Sequence, residues 1–193
     1  SLKKDDFVKD ILFTDGPSLV EHADYQAVIS GSDKKPPKVT IDDEDEALFL
    51  YTSGSTGRPK GVILLARQLD LFPTQMRDTF PEIFGPDIPF GVILPMSHIS
   101  GPILINMLLY TRSTLVIFPG WRPDVVWKTV EKERVAFFHG VPPIFQMLLV
   151  DPNLGSYDLS CLRLLAMMGM SVPKTLLETY QKRFPQSTIT QGF

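Results

Sequence analysis

From residue 47 to the end of the chain, short apolar runs alternate with stretches of helical spacing. This alternation leaves few folds open. Residues 47–52, 62–65, 90–94, 113–118, 135–138, 162–167 and 187–190 read as strands. Residues 67–80, 99–110, 123–133, 142–150 and 173–183 read as helices, with Pro73 disturbing the first of them. Asp124 near the start of one helix and Lys132 and Arg134 near its end suit the helix dipole. Strands without polar alternation, separated by helices, predict an α/β fold: a largely parallel, buried sheet flanked by helices. In such sheets ligands sit beyond the carboxyl ends of the strands. Ser53, the segment Pro95 to His98, His139-Gly140, Gly169 and Gly192 each follow a strand and are expected on that side.

Residues 1–46 are less regular and read as a partial αβ segment followed by a linker, with residues 47–193 as the α/β unit proper. Residues 30–38 are rich in Pro, Lys, Gly and Ser and predict a loop. Asp42-Asp43-Glu44-Asp45-Glu46 predicts a solvated loop or helix start; adjacent acids without spacing cannot all face one metal ion, and no metal site is expected.

Composition excludes several classes. The net charge of -3 provides no basic field for nucleic acid. The longest apolar stretch, residues 101–110, is interrupted by Asn106 and too short to span a membrane. The single cysteine, Cys161, allows no internal disulfide and reads as a small apolar core residue. With no apolar leader after Ser1, a cytoplasmic setting is expected. His22 reads as a surface residue.

The chemistry concentrates in one segment, Tyr51-Thr52-Ser53-Gly54-Ser55-Thr56-Gly57-Arg58-Pro59-Lys60-Gly61-Val62. Gly54, Gly57 and Gly61 permit positive φ and close backbone approach. Thr52, Ser53, Ser55 and Thr56 offer hydroxyl donors, exposed amides can form an anion-binding concavity, and Lys60 adds a positive charge. Such a segment suits polyphosphate. It is not a Walker loop, because Pro59 precedes the lysine and Gly61 follows it. Nor is it a dinucleotide fingerprint, because the glycine spacing fails and a strand follows rather than a helix. A kinase-type phosphoryl transferase is disfavoured for the same reason and for want of other kinase segments.

The whole segment resembles the signature loop of the adenylate-forming superfamily: acyl-CoA synthetases, peptide-synthetase adenylation domains and firefly-type luciferases. Further stretches resemble that superfamily in the expected order. They are Leu94-Pro95-Met96-Ser97-His98-Ile99-Ser100-Gly101, Gly140-Val141-Pro142-Pro143 with Leu148-Leu149, residues 162–173, and Thr190-Gln191-Gly192-Phe193. The likeness covers about residues 40–193 and only loosely what precedes them.

The resemblance implies a partial N-terminal domain of an AMP-forming carboxylic acid ligase. Such an enzyme uses ATP and Mg²⁺ to turn an acid into its acyl-adenylate, then passes the acyl group to a thiol, coenzyme A or a carrier phosphopantetheine. It implies that residues 52–60, among them Thr52, Ser53, Gly54, Ser55, Thr56, Gly57 and Lys60, hold the β- and γ-phosphates. His98 would border the acyl and adenylate site as its catalytic residue. Gly169, Met170 and Ser171 would border adenine, with Gln191, Gly192 and Phe193, whose ring would stack on it. For His139, a structural and a site role weigh equally.

The Leu-Pro-x-x-His-x-x-Gly segment points to fatty or aryl acids rather than amino acids, since peptide-type domains carry Phe-Asp-x-Ser there. Two departures stand out. Leu65-Ala66-Arg67-Gln68 replaces the usual Thr/Ser-His-x-Asn, and Met167-Met168-Gly169-Met170 replaces smaller residues. The sequence stops before the family's Gly-Met-Thr-Glu, so the stretch by itself is expected not to catalyse adenylation. A truncated, non-catalytic nucleotide- or partner-binding domain is the alternative. The acid, the acceptor thiol and the oligomeric state are not readable.

Overall fold

The computed structural model describes residues 12–13, 23–53, 57–81, 83–86, 88–118 and 120–192. His22, Gly54, Ser55, Thr56 and Phe193 lie outside the described residues. The chain divides into two compact units, residues 1–40 and 41–193. In the first, β1 (Leu12–Phe13) and β2 (Ala23–Asp24) pair in parallel, and α1 (Tyr25–Gly31) follows. Residues 32–40 carry no helix or strand; of the loop predicted over 30–38, Ser30 and Gly31 instead close α1.

The second unit begins with an antiparallel hairpin of β3 (Glu46–Thr52) and β4 (Lys60–Leu65), with Thr52 opposite Lys60 at its tip. Then come α2 (Ala66–Thr79), β5 (Pro89–Val92), α3 (Ser100–Thr111), β6 (Thr114–Ile117), α4 (Pro123–Lys132), β7 (Phe137–Gly140), α5 (Pro142–Leu148), β8 (Leu164–Met168), α6 (Lys174–Arg183) and β9 (Thr188–Gly192). Strands β5 to β9 form one all-parallel sheet in the order β6-β5-β7-β8-β9.

That order explains the layers. A right-handed crossover from β5 to β6 runs one way along the sheet, and every later crossover runs the other way. The helices therefore fall on opposite faces. On one face α2 and α3 supply Met76, Leu104, Met107 and Leu108 against Phe90, Val92, Phe137, Leu164 and Ala166. On the other, α4, α5 and α6 supply Val126, Trp127, Phe145, Leu148, Leu176 and Tyr180 against Phe138, Leu165 and Met167. Successive strand residues alternate between the two cores, as the period of two requires. With both faces covered, β7 is buried throughout, which is why its sequence shows no polar alternation.

Two polar tips fasten the second face. Trp127 Nε1 donates to the Leu148 carbonyl at 2.9 Å, and the Tyr180 hydroxyl donates to the Phe145 carbonyl at 2.8 Å. Both acceptors lie in the last turn of α5, where carbonyls have no partner within the helix.

The structure corrects two expectations. The strand before Ser53 belongs to the antiparallel hairpin, so Ser53 does not follow a strand of the parallel sheet; the short loop back to β4 permits only antiparallel return. Pro73 does not interrupt α2, which runs through it. A helical proline leaves the carbonyl four residues earlier without its donor. Here that carbonyl is Leu69, and Asn106 Nδ2 on α3 donates to it at 2.9 Å. The acidic run is an exposed turn that leads into β3 rather than a helix of its own, and its Asp45 and Asp43 carbonyls accept from the Ala66 and Arg67 amides at the start of α2. Gln68, at a departure from the family pattern, accepts from the Leu65 amide at 2.9 Å and replaces a capping side chain.

Candidate functional site

In a sheet of this order the crevice opens between the strand where the winding starts and the one where it reverses, β5 and β7. A cavity of about 280 Å³ lies there. Leu94 beyond β5, His139 and Val141 at the end of β7, and Met168 and Gly169 at the end of β8 line it from the sheet. Phe72 of α2 and Ile99, Ser100, Ile103 and Leu104 around α3 line it from the helices. The wall is almost wholly apolar, and its polar side chains are His98, Ser100 and His139.

His98 sits in the turn before α3, exposed at the rim. That turn is tight: the Gly101 amide donates to the His98 carbonyl at 2.8 Å. A Cβ on Gly101 would overlap the Met96 carbonyl oxygen, so only glycine fits. The His98 ring is held as well. Its Nδ1 lies 2.6 Å from the Ser100 hydroxyl and accepts from the Ser100 amide at 3.3 Å.

His139 is the contrast. It is only 8% exposed and lies parallel to the Phe137 ring, with centroids 6.3 Å apart. Its Nδ1 has no hydrogen-bond partner among the described residues. Burial, assisted by the nearby His98, pushes its pKa down to about 4, so the ring is neutral at pH 7. Sequence reasoning left its role open. The signal was present: in Phe137-Phe138-His139-Gly140, alternation puts His139 on the same face as Phe137, one step nearer the carboxyl end.

The hairpin loop is a different kind of place. Thr52, Ser53, Gly57 and Lys60 are all exposed. The Thr52 hydroxyl reaches the Lys60 carbonyl at 3.5 Å, and Lys60 has no ion pair among the described residues. Gly57 has φ +81°, a left-handed conformation suited to glycine, and open space where a side chain would stand. At the other expected location the structure joins Gly169 and Gly192: the Gly169 amide donates to the Gly192 carbonyl at 3.1 Å. Gly169 reaches the cavity, whereas Met170, Ser171 and Gln191 are exposed beside it. Cys161 is half-buried and does not line the cavity; its Sγ lies 3.7 Å from the Val130 carbonyl. Among the described residues no group of three or more His, Cys, Asp or Glu side chains is gathered as a metal would need. No helix among them is long and apolar enough to cross a membrane.

Comparison with known proteins gives consistent matches. The family model described as AMP-binding enzyme matches residues 1–193. A feruloyl-CoA synthase from Amycolatopsis is 32% identical over 157 residues, covering 80% of this chain and 31% of that protein. The 4-coumarate–CoA ligase-like 9 protein of Arabidopsis thaliana is 28% identical over 182 residues, covering 92% of this chain and 32% of its own length. The chain thus spans about a third of the curated relatives it matches. Among solved structures, the inhibitor-bound N-terminal domain of FACL13 from Mycobacterium tuberculosis superposes with a TM-score of 0.77 at 23% identity, over 86% of this chain and 40% of that one.

Proposed function

This chain belongs to the AMP-binding enzyme family, and from that premise we propose that it forms part of the larger domain of an ATP-dependent ligase acting on a carboxylic acid. In this reading the acid's carboxylate attacks the α-phosphorus of ATP, pyrophosphate leaves, and an acyl-adenylate forms. A thiol, coenzyme A or a carrier phosphopantetheine, then attacks the acyl carbonyl and releases AMP. The observation that carries the reading is the apolar cavity at the β5/β7 crevice, with one histidine at its rim and another buried in its wall.

The acid's body occupies that cavity. An apolar cavity of about 150 Å³ suffices for benzene, so about 280 Å³ suits one ring with a short chain better than a long hydrocarbon. His98 meets the carboxylate end, held in place by Ser100. The hairpin loop takes the β- and γ-phosphates through Thr52, Ser53, Gly54, Ser55, Thr56, Gly57 and Lys60. Stabilising charge on the leaving pyrophosphate is the electrostatic task such donors perform. The described part of the loop fits that role: Thr52, Ser53, Gly57 and Lys60 are all exposed. Gly169, Met170, Ser171, Gln191, Gly192 and Phe193 border adenine, a placement supported by the bond that joins the ends of β8 and β9. Mg²⁺ enters as the companion of ATP.

Hydroxylamine trapping on the polypeptide that contains this chain tests the proposal, across fatty, aryl and amino acids. Hydroxamate from single-ring aryl or short acyl acids is the expected result. Product from amino acids alone would overturn the reading. With residues 1–193 by themselves, no pyrophosphate release is expected.

A further inference from the structure

We infer that His139 makes the cavity selective for acids whose buried portion carries a hydrogen-bond acceptor, an ether, carbonyl or hydroxyl oxygen, in place of plain hydrocarbon. The inference rests on the proposed function in taking the cavity as the acid's site. What it adds is the chemistry that the cavity asks for.

A buried polar atom without a partner is costly, and most native ones are paired. His139 breaks that rule at one position in the wall. Its Nδ1 is sealed off with no partner, in a strand otherwise made of phenylalanine and glycine. His98, by contrast, has its Nδ1 committed to Ser100. A neutral imidazole carries one proton, shared between two nitrogens. Placed on the sealed Nδ1, the proton would be an orphaned buried donor; unfilled acceptors are better tolerated than orphaned donors. The proton therefore sits on Nε2, the polar atom left for the cavity. The cavity thus holds an N–H among Phe72, Leu94, Ile103, Leu104, Phe137 and Met168. A hydrocarbon there buries the donor unpaired, and an oxygen acceptor satisfies it. Discrimination is strong when a site's own buried polar group would be left without its partner.

The test uses an isosteric pair, 3-(4-methoxyphenyl)propanoic acid and 3-(4-ethylphenyl)propanoic acid, which differ by an oxygen against a methylene. Their binding to the 193-residue chain is measured by calorimetry, with the ¹⁵N signals of the His139 ring as a second readout. Expected is tighter binding of the methoxy acid by about tenfold or more, with a shifted Nε2–H signal. His139→Leu should abolish the preference, and His139→Gln, which keeps a donor, should retain part of it. Equal binding by the unsubstituted chain, or a preference that survives in His139→Leu, overturns the inference and leaves the cavity as an acid site. Failure of both acids to bind a chain with a well-dispersed spectrum overturns the reading of the cavity, and the inference with it.

Discussion

In the proposed function, the β3–β4 hairpin and the cavity at the end of the parallel sheet solve opposite problems of recognition. Among the described residues of the hairpin no side chain is buried; Phe49 is 51% and Tyr51 75% exposed. Its chemistry is contiguous, with hydroxyls, glycines and a lysine in one run. The cavity is made from residues scattered between 72 and 169, delivered by α2, α3, β7, β8 and the segments adjoining them, and all but His98 and Gly169 are at least partly buried. A flexible polyanion needs many donors and little shape, so a run of sequence can supply them. A shaped apolar space needs a packed frame, so no run of sequence can.

The sharpest test of that contrast makes the same substitution in both places. Phe138 is fully buried and meets Phe118 and Phe145 edge-on at 5.3 and 5.4 Å. Phe138→Ala is expected to cost about 3–5 kcal/mol, and Phe49→Ala, half-exposed on β3, about 0.5 kcal/mol or less. Urea midpoints at constant slope would show the difference. Comparable losses would mean that the hairpin is as firmly packed as the sheet.

A second effect belongs to the cavity alone. His139 has a folded pKa of about 4, below the ordinary value of 6.5. The unfolded chain therefore binds its proton first as pH falls. The contribution is complete above about pH 6.5 and is lost progressively towards pH 4, by at most about 3 kcal/mol. His139→Leu should flatten this limb of the stability profile, measured as the difference between variant and parent at each pH. An unchanged slope would place His139 in contact with water.

The smallest effect tests the seam where α2, which packs against the hairpin, meets α3. Asn106→Leu leaves the Leu69 carbonyl without a donor and should cost about 1–3 kcal/mol. In a Pro73→Ala background the restored amide takes that carbonyl, and the cost of Asn106→Leu should shrink. Equal costs in both backgrounds would show that Asn106 acts through its other contact, Asp70 Oδ1 at 3.0 Å.

The same contrast explains what could be read in advance. The α/β class, the parallel sheet and the order of its helices follow from unbroken apolar runs such as Phe90 to Leu94, because burial on both faces leaves no room for polar alternation. The hairpin loop could be proposed as a phosphate site from the sequence because its hydroxyls, glycines and lysine are contiguous. The faces chosen by α2 and α3 were not legible, because they follow from strand order, which depends on long-range crossovers. Nor was the continuity of α2 through Pro73, since its remedy lies on another helix. His139 was legible as the end of a strand but not as a cavity wall, because the residues that make it one are brought together only by the winding of the sheet.

The two polar tips that reach into the last turn of α5 bear on motion. Trp127 and Tyr180 are both fully buried and belong to the neighbouring helices α4 and α6, so α5 cannot slide or tilt without breaking a bond to each. Local opening draws on segments with few buried contacts, and α5 is the reverse. The side of the cavity that carries Val141, one residue before α5, therefore behaves as a fixed jaw. If the cavity takes the acid as proposed, the motion that admits it is expected on the side of His98 and the turn into α3.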